Sequence, residues 1–382
     1  MKTIYLDNGA TSFPKPETVG QSMLAYISGV GATINRSVYG SAQSAGLVAL
    51  QLRESLATFF NLNESPTQVV LTPGATASLN MVIKGLLKDG DHCIVSGMEH
   101  NAVIRPLFQL DNVSHSVIPC DSEGRINTDE VEKLIQPNTK LCIVCHASNV
   151  CGTIQDVKTI GQICKKHNVP FVLDGAQSAG HIPIDFKELS LSALCVPAHK
   201  GLLGPSGIGA LLLTPQFTKR LTPLIAGGTG SASDSEYLPH YMPDRFESGT
   251  PNVPGIYGWE ASMRYINEQG LSTIHAHEMA LTKLFLEGVS KIEGVRLCGV
   301  PGLEDRVAVI SLDFINHDNG DISYKLESEF NILTRCGLHC SPFAHRSLGT
   351  FPRGTVRFSI GYFNTEDDIT TALMAIKKLS EA

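Results

Sequence analysis

The chain has 382 residues, 42% of them hydrophobic and 18% charged, with a formal net charge of −7. That length and composition fit a globular protein of two domains, or one large domain with an appendage, able to bury a sizeable core. The negative balance and the lack of any Lys/Arg run argue against nucleic acid and anionic membrane as partners.

The opening MKTIYLDNGATSFPKP has no long apolar stretch, and no run of about 18 apolar residues follows it. No signal peptide or membrane span is therefore expected. Ten cysteines in a chain this long do not read as a disulfide framework, which belongs mainly to small secreted domains. The expected setting is reducing cytoplasm, with most cysteines acting as small buried hydrophobes.

Strand-like runs then alternate with helical patterns. TQVVLT (67–72) predicts a strand, ASLNMVIKGLL a helix, and DHCIVSG the next strand. KLCIVCHASN (140–149) predicts another strand, followed by a helix around 156–167. VPFVLDGAQ, LSALCVPAHK and IGALLLT (208–214) complete the series. Near-continuous apolar strands separated by helices indicate an α/β fold with a mostly parallel sheet covered on both faces. Residues 215–258 are rich in Gly, Pro and Ser but hold aromatics and paired charges, so they read as a long functional crossing. From about 259 a helix leads into a different rhythm, where RVAVISLDF and TVRFSIGYF predict strands of a smaller α+β domain. The expected division is 18–258 for the large domain, with 1–17 and 259–382 forming the small one.

Several residues carry chemistry. Asp174 ends an apolar strand, where ligands bind in open α/β sheets, although Asp-Gly is also a common turn pair. Lys200 follows another apolar run beside a glycine-rich turn, where a solvated face is not expected. A lysine near buried surface has a lowered pKa and can form a Schiff base. An Asp and a Lys are the minimum protein kit for pyridoxal phosphate. Gly74-Ala75-Thr76 lies between a strand and a helix, where the helix N-terminus favours a phosphate, or where Thr72 or Thr76 simply caps the helix. GPSGIGALLLT is no dinucleotide motif, because a strand rather than a helix follows its glycines. Cys142 and Cys145 point to opposite faces of a strand, which argues against a metal or redox pair. RCGLHCSPFAHRSLGT (335–350) offers His339, Cys340 and His345, but paired metal-ligand knuckles are missing.

These motifs in order, from YLDNGATSFPKP through DGAQ, HK, ESGTPN and RCGLHC to VRFSIGYFNTEDDI, resemble the group II cysteine desulfurases and selenocysteine lyases. Those are fold-type I pyridoxal-phosphate enzymes of the class V aminotransferase group. The resemblance implies a mostly parallel seven-stranded sheet sandwiched by helices. It implies Lys200 as the Schiff-base lysine, Asp174 on the pyridine nitrogen and Gln177 on the phenolic oxygen. His100 would stack on the ring. Ala75, Thr76 and His199 would serve the phosphate, and Thr250 would reach the phosphate of the other subunit in a homodimer. Asn149 and Arg357 would hold the substrate carboxylate, with Arg335 and Arg36 in the same substrate-binding set. Cys340 would carry the persulfide, with Arg335 and His339 as nearby cations favouring its thiolate.

Two departures stand out. Pro197 replaces the family's usual phosphate-binding Ser, and Leu338 and Cys336 alter the loop that leads to Cys340. The implied reaction converts L-cysteine to L-alanine and leaves a persulfide on Cys340 for a sulfur-acceptor protein or small thiol. L-selenocysteine is the alternative substrate. An aminotransferase, epimerase or lyase that does not use Cys340 is a further alternative, as is a cofactor-binding protein without turnover.

Overall fold

The computed structural model describes residues 2–34 and 37–381. Arg36, expected among the substrate-binding residues, lies outside the described residues. The strands are β1 (Ile4–Tyr5), β2 (Val69–Thr72), β3 (His92–Ser96), β4 (Ser114–Ile118), β5 (Thr139–Cys145), β6 (Phe171–Asp174), β7 (Ala193–Pro197), β8 (Gly209–Leu213), β9 (Val295–Cys298), β10 (Val309–Phe314), β11 (Ile332–Leu333), β12 (Arg335–Gly337) and β13 (Thr355–Ser359). The α-helices are α1 (Glu17–Ala25), α2 (Gly40–Phe59), α3 (Ala75–Leu86), α4 (Asn101–Phe108), α5 (Val157–Lys166), α6 (Pro215–Thr218), α7 (Val253–Gln269), α8 (Leu271–Val289), α9 (Asn319–Phe330), α10 (Pro342–Ser347) and α11 (Glu366–Ser380).

Seven strands form the central sheet in the order β2-β8-β7-β6-β5-β3-β4. Its pairs are parallel except those of β8, which runs antiparallel to β2 and β7. Alternate side chains enter separate cores on the two faces, as strand geometry requires. Cys142, Val144, Phe171, Leu173 and Leu194 pack into one core, while Leu141, Ile143, Val172, Ala193 and Cys195 pack into the other. This is why the strands read as continuous apolar runs. Cys145 belongs to a third cluster, with Met98 and Cys151.

The second unit holds the antiparallel sheet β12-β13-β10-β9. The N-terminal strand β1 pairs in parallel with β11, so Ile4 and Leu6 join Phe285, Ile310, Leu312 and Phe358 in a separate core. Helix α7 runs through the expected boundary at 258/259. Its Trp259, Met263 and Ile266 pack with the large sheet's core. We propose that the small domain starts after α7, at Gly270, whose φ of 80° marks the break before α8.

One backbone contact fixes the turn that follows β7. Gly180 has φ of 85°, and a Cβ there would lie 2.2 Å from the backbone of Gly201. Gly180→Ala therefore meets both left-handed strain and a clash against backbone that cannot step aside. A loss of about 1–3 kcal/mol of stability is expected, read as a lower midpoint in urea denaturation.

Candidate active site

Four strand ends and one helix start meet at the same edge of the central sheet. Asp174 ends β6, Pro197 ends β7, Cys145 ends β5, and α3 begins just past β2. Between them lies a cavity of about 440 Å3, whose lining includes Ala75, Thr76, His100, Asn149, Asp174, Gln177, Pro197, His199 and Lys200. Nine residues drawn from five separate stretches of sequence thus share one wall.

Lys200 and Asp174 supply its charge. Burial lowers the Lys200 amine to about 8, against the opposing pull of Asp174. Burial raises the Asp174 carboxyl, while the Ala176 N–H on Oδ1 at 2.9 Å and the charge of Lys200 act the other way. His100 caps α4, with Nδ1 accepting from the Ala102 N–H at 3.0 Å. Burial first, and then Lys200, push His100 to about 4, so its ring is neutral at physiological pH. His199 falls to about 4 for the same two reasons, with Lys15 adding to them.

Two buried polar atoms of the lining, Gln177 Oε1 and His199 Nδ1, lack a partner. Buried polar atoms are normally paired, so this cavity is shaped for a polar occupant. The N-terminal turn of the 12-residue helix α3 lines the same space, and the positive end of a helix dipole suits a phosphate. Pro197 presents only carbon there.

Cys340 is exposed and outside the cavity lining, in a turn bonded to the lining residue Asn149. His339 and Cys340 both take left-handed backbone conformations, with φ of 49° and 60°. Several bonds hold this turn. The Asn101 N–H donates to the Cys340 carbonyl at 2.7 Å. Asn149 Nδ2 donates to the His339 carbonyl at 2.6 Å, and Ser341 Oγ donates to Asn149 Oδ1 at 2.7 Å. Arg335 Nη2 donates to the Cys340 sulfur at 3.5 Å.

His339 does not act as a cation beside that sulfur. It is 2% exposed and its Nε2 lies 3.1 Å from Thr355 Oγ1. Burial, with Arg357, His345 and Arg335 nearby, holds it well below its ordinary pKa. Cys336 is the middle residue of β12, so its side chain and that of Arg335 leave opposite faces of the strand. Both cysteines are free thiols.

Arg357 is 1% exposed and lies outside the cavity lining. Its Nη1 donates to the Asn149 carbonyl at 3.0 Å, and its Nη2 lies 2.5 Å from Asp7 Oδ1. Thr250 is exposed and borders a neighbouring cavity, which shares Pro73 and Gly207 with the first.

The opening segment enters the site in a way the sequence reading did not assign. The His199 carbonyl accepts from Ser12 N–H at 2.9 Å, Lys15 Nζ at 2.8 Å and Thr11 Oγ1 at 3.0 Å. Gln177 Nε2 donates to the Gly9 carbonyl at 2.9 Å. Residues 7–15 thus grip the backbone beside Lys200 and the side chains of Gln177 and Arg357. Glu99 was also missed. It is fully buried, accepts from the Cys145 N–H at 2.9 Å, and is raised by burial to about 8.

Comparison with known proteins defines the class first. The family model for class V aminotransferases matches residues 4–371. A protein named "Probable cysteine desulfurase" from Methanothermobacter thermautotrophicus is 32% identical over 372 residues, covering 96% of this chain and 92% of its own. The apo structure of a cysteine desulfurase from Thermococcus onnurineus superposes with a TM-score of 0.92 at 32% identity, covering 99% of this chain and 95% of that one. The cysteine desulfurase CsdA of Escherichia coli, solved with an S-sulfonic acid, gives 0.88 at 27% identity, covering 99% and 95%. The chain belongs to the class V aminotransferase family, in its cysteine desulfurase branch. Enzymes of this family work with pyridoxal phosphate.

The lowered Lys200 amine is open to a direct check. In cofactor-free protein, acylation of Lys200 by an amine reagent is expected to rise with a midpoint near about 8, well below the ~10.4 of a free lysine. Asp174→Asn removes the anion that opposes the lowering, so the midpoint is expected to fall further. Peptide mass spectrometry across a pH series reads both.

Proposed function

We propose that this chain is a pyridoxal-phosphate-dependent cysteine desulfurase that converts L-cysteine to L-alanine and keeps the sulfur as a persulfide on Cys340. The observation that carries this reading is the meeting of Lys200 and Asp174 in one desolvated cavity, with the exposed Cys340 on a turn bonded to Asn149 of the cavity wall.

Lys200 would be the covalent anchor for the cofactor, Asp174 would partner its ring nitrogen and Gln177 its phenolic oxygen. His100, neutral and fixed by its bond to Ala102, would hold the cofactor ring. The first turn of α3 at Ala75 and Thr76, together with His199, would receive the phosphate, and Thr76 would take on more of that grip because Pro197 offers no donor. When bound, pyridoxal phosphate supplies a sink for the electrons of the substrate's Cα–H bond.

A lysine amine titrating near about 8 is partly neutral at physiological pH, so Nζ can accept the substrate's α-proton and return it. Arg357 and Asn149 receive the substrate carboxylate, with Arg335 beside them. The Cys340 thiolate attacks the substrate sulfur. Overall the carbon–sulfur bond of cysteine breaks and a sulfur–sulfur bond forms on Cys340. The three-carbon product gains a proton in place of sulfur and leaves as alanine.

Cys340 is exposed, so a second thiol can collect the persulfide sulfur from outside. That acceptor is a carrier protein or a small thiol. We further place the enzyme in the cytoplasm as a homodimer, with Thr250 reaching the cofactor phosphate of the partner subunit. No helix of the described residues is long and apolar enough to cross a membrane.

The test is to incubate the holoenzyme with cysteine while measuring alanine and the mass of the Cys340 peptide. Wild type is expected to gain one sulfur on that peptide and release alanine. Cys340→Ala is expected to lose alanine formation on the order of 10³-fold, and Cys336→Ser to keep it. Full alanine production by Cys340→Ala under reductant would overturn the persulfide step. Retained turnover of selenocysteine by the same variant would show that the thiol is needed only for sulfur.

A further inference from the structure

The Arg357 guanidinium has a carboxylate on it already, and that carboxylate belongs to the chain. We propose that Asp7 is a positioning residue that sets the strength of carboxylate binding: it holds the Nη2 arm of the Arg357 fork in the ligand-free enzyme, and an incoming amino-acid carboxylate must share or take that place. This rests on the reading of Arg357 as the carboxylate clamp and adds what sets the strength of that clamp.

The placement is built into the backbone. Asp7 forms a parallel bridge to Ser359, and the Asn8 N–H donates to the Ser359 carbonyl. The Gly9 N–H donates to Ser359 Oγ at 2.7 Å, and a Cβ on Gly9 would come within 3.3 Å of Arg357 Cζ. Tyr5 closes the loop by donating to the Thr11 carbonyl at 2.9 Å. The Asp7 side chain is therefore delivered to Arg357 by a fixed register.

The charges around it give Asp7 a reason to be there. Arg335 and Arg357 stand directly opposite each other on β12 and β13, and like charges in that arrangement repel. Lys200 feels both arginines and Asp7. Without Asp7, Asp174 would be left to oppose Lys200, Arg335 and Arg357. With it, the guanidinium of Arg357 is partly neutralised before any substrate arrives.

One nitrogen of the fork remains free. Arg357 Nε is buried and lacks a partner, although the Nη1 and Nη2 groups are engaged by Asn149 and Asp7. A guanidinium grips a carboxylate best through two parallel N–H bonds. With Nη2 held by Asp7, an incoming carboxylate has only part of that grip until Asp7 yields. The arrangement weakens binding of every carboxylate ligand, product included, and leaves binding through the amine untouched.

The experiment is calorimetric titration of the holoenzyme with L-alanine and with L-alaninamide, which lacks the carboxylate. Asp7→Asn keeps the shape and an oxygen acceptor but removes the charge. It is expected to tighten L-alanine roughly tenfold, the scale of a hydrogen bond to a charged group, and to leave L-alaninamide unchanged. Asp7→Ser, smaller and also uncharged, is expected to shift in the same direction. Equal changes for both ligands, or unchanged or weaker L-alanine binding, would overturn the proposal. Arg357→Lys separates the two readings. If it leaves L-alanine binding intact, Arg357 is not the carboxylate clamp. If it weakens L-alanine while Asp7→Asn does not tighten it, the clamp stands and the role of Asp7 fails.

Discussion

The desolvation of Lys200 is the constraint around which the rest of the site is arranged. An ammonium taken out of water is costly, and the cost is met partly by a lowered pKa and partly by a nearby carboxylate. The sheet order supplies that carboxylate. β6 and β7 are parallel neighbours, so the residue ending β6 and the turn after β7 open at the same edge. Asp174 is itself buried, and each group reduces the penalty on the other. An amine held in this state is suited to covalent and proton-transfer chemistry, whereas a solvated lysine would stay charged.

Much of the fold could be read from the sequence because the buried strands are apolar on both faces. The central strands β3, β6, β7 and β8 fall within the expected runs, and β5 starts one residue before its run. The edge strand β4 does not, since SHSVI is mostly exposed and carries no apolar run to mark it. The reversed direction of β8 follows from the length of its connection. The stretch between β7 and β8, from 198 to 208, holds no helix, and a parallel return needs a longer crossover. Helix α7 shows why boundaries are harder than elements. Its sequence marks a helix, but only the packing of Trp259 and Met263 shows which core it serves.

The site was legible where a residue's chemistry and its place on a strand end coincide, as for Asp174 and Lys200. It was not legible where function depends on long-range closure. Ser12 and His199 are 187 positions apart and Asp7 and Arg357 are 350 apart, and no local pattern links them. The only signal was that YLDNGATSFPKP belonged to the ordered motifs, with no role attached to its members. His339 shows the opposite error. A histidine beside a cysteine suggests a cation, but β13 buries the ring against Thr355 and removes that charge. Burial, and not residue type, decides protonation here.

Asn149 connects these parts. Its carbonyl takes the Arg357 N–H, its side-chain nitrogen holds the His339 carbonyl, and its side-chain oxygen accepts from Ser341. Both side-chain bonds act on the turn that carries Cys340, and the turn keeps two consecutive left-handed residues in place. Such a conformation persists only when its surroundings over-determine it. The structure ties this turn to the large sheet through Asn149 and Asn101. The turn that carries the exposed Cys340 is thus joined through Asn149 to Arg357. The same asparagine therefore ties the backbone of the large sheet's edge both to Arg357 on β13 and to the left-handed turn at His339 and Cys340, and the strain of that turn is held by these bonds.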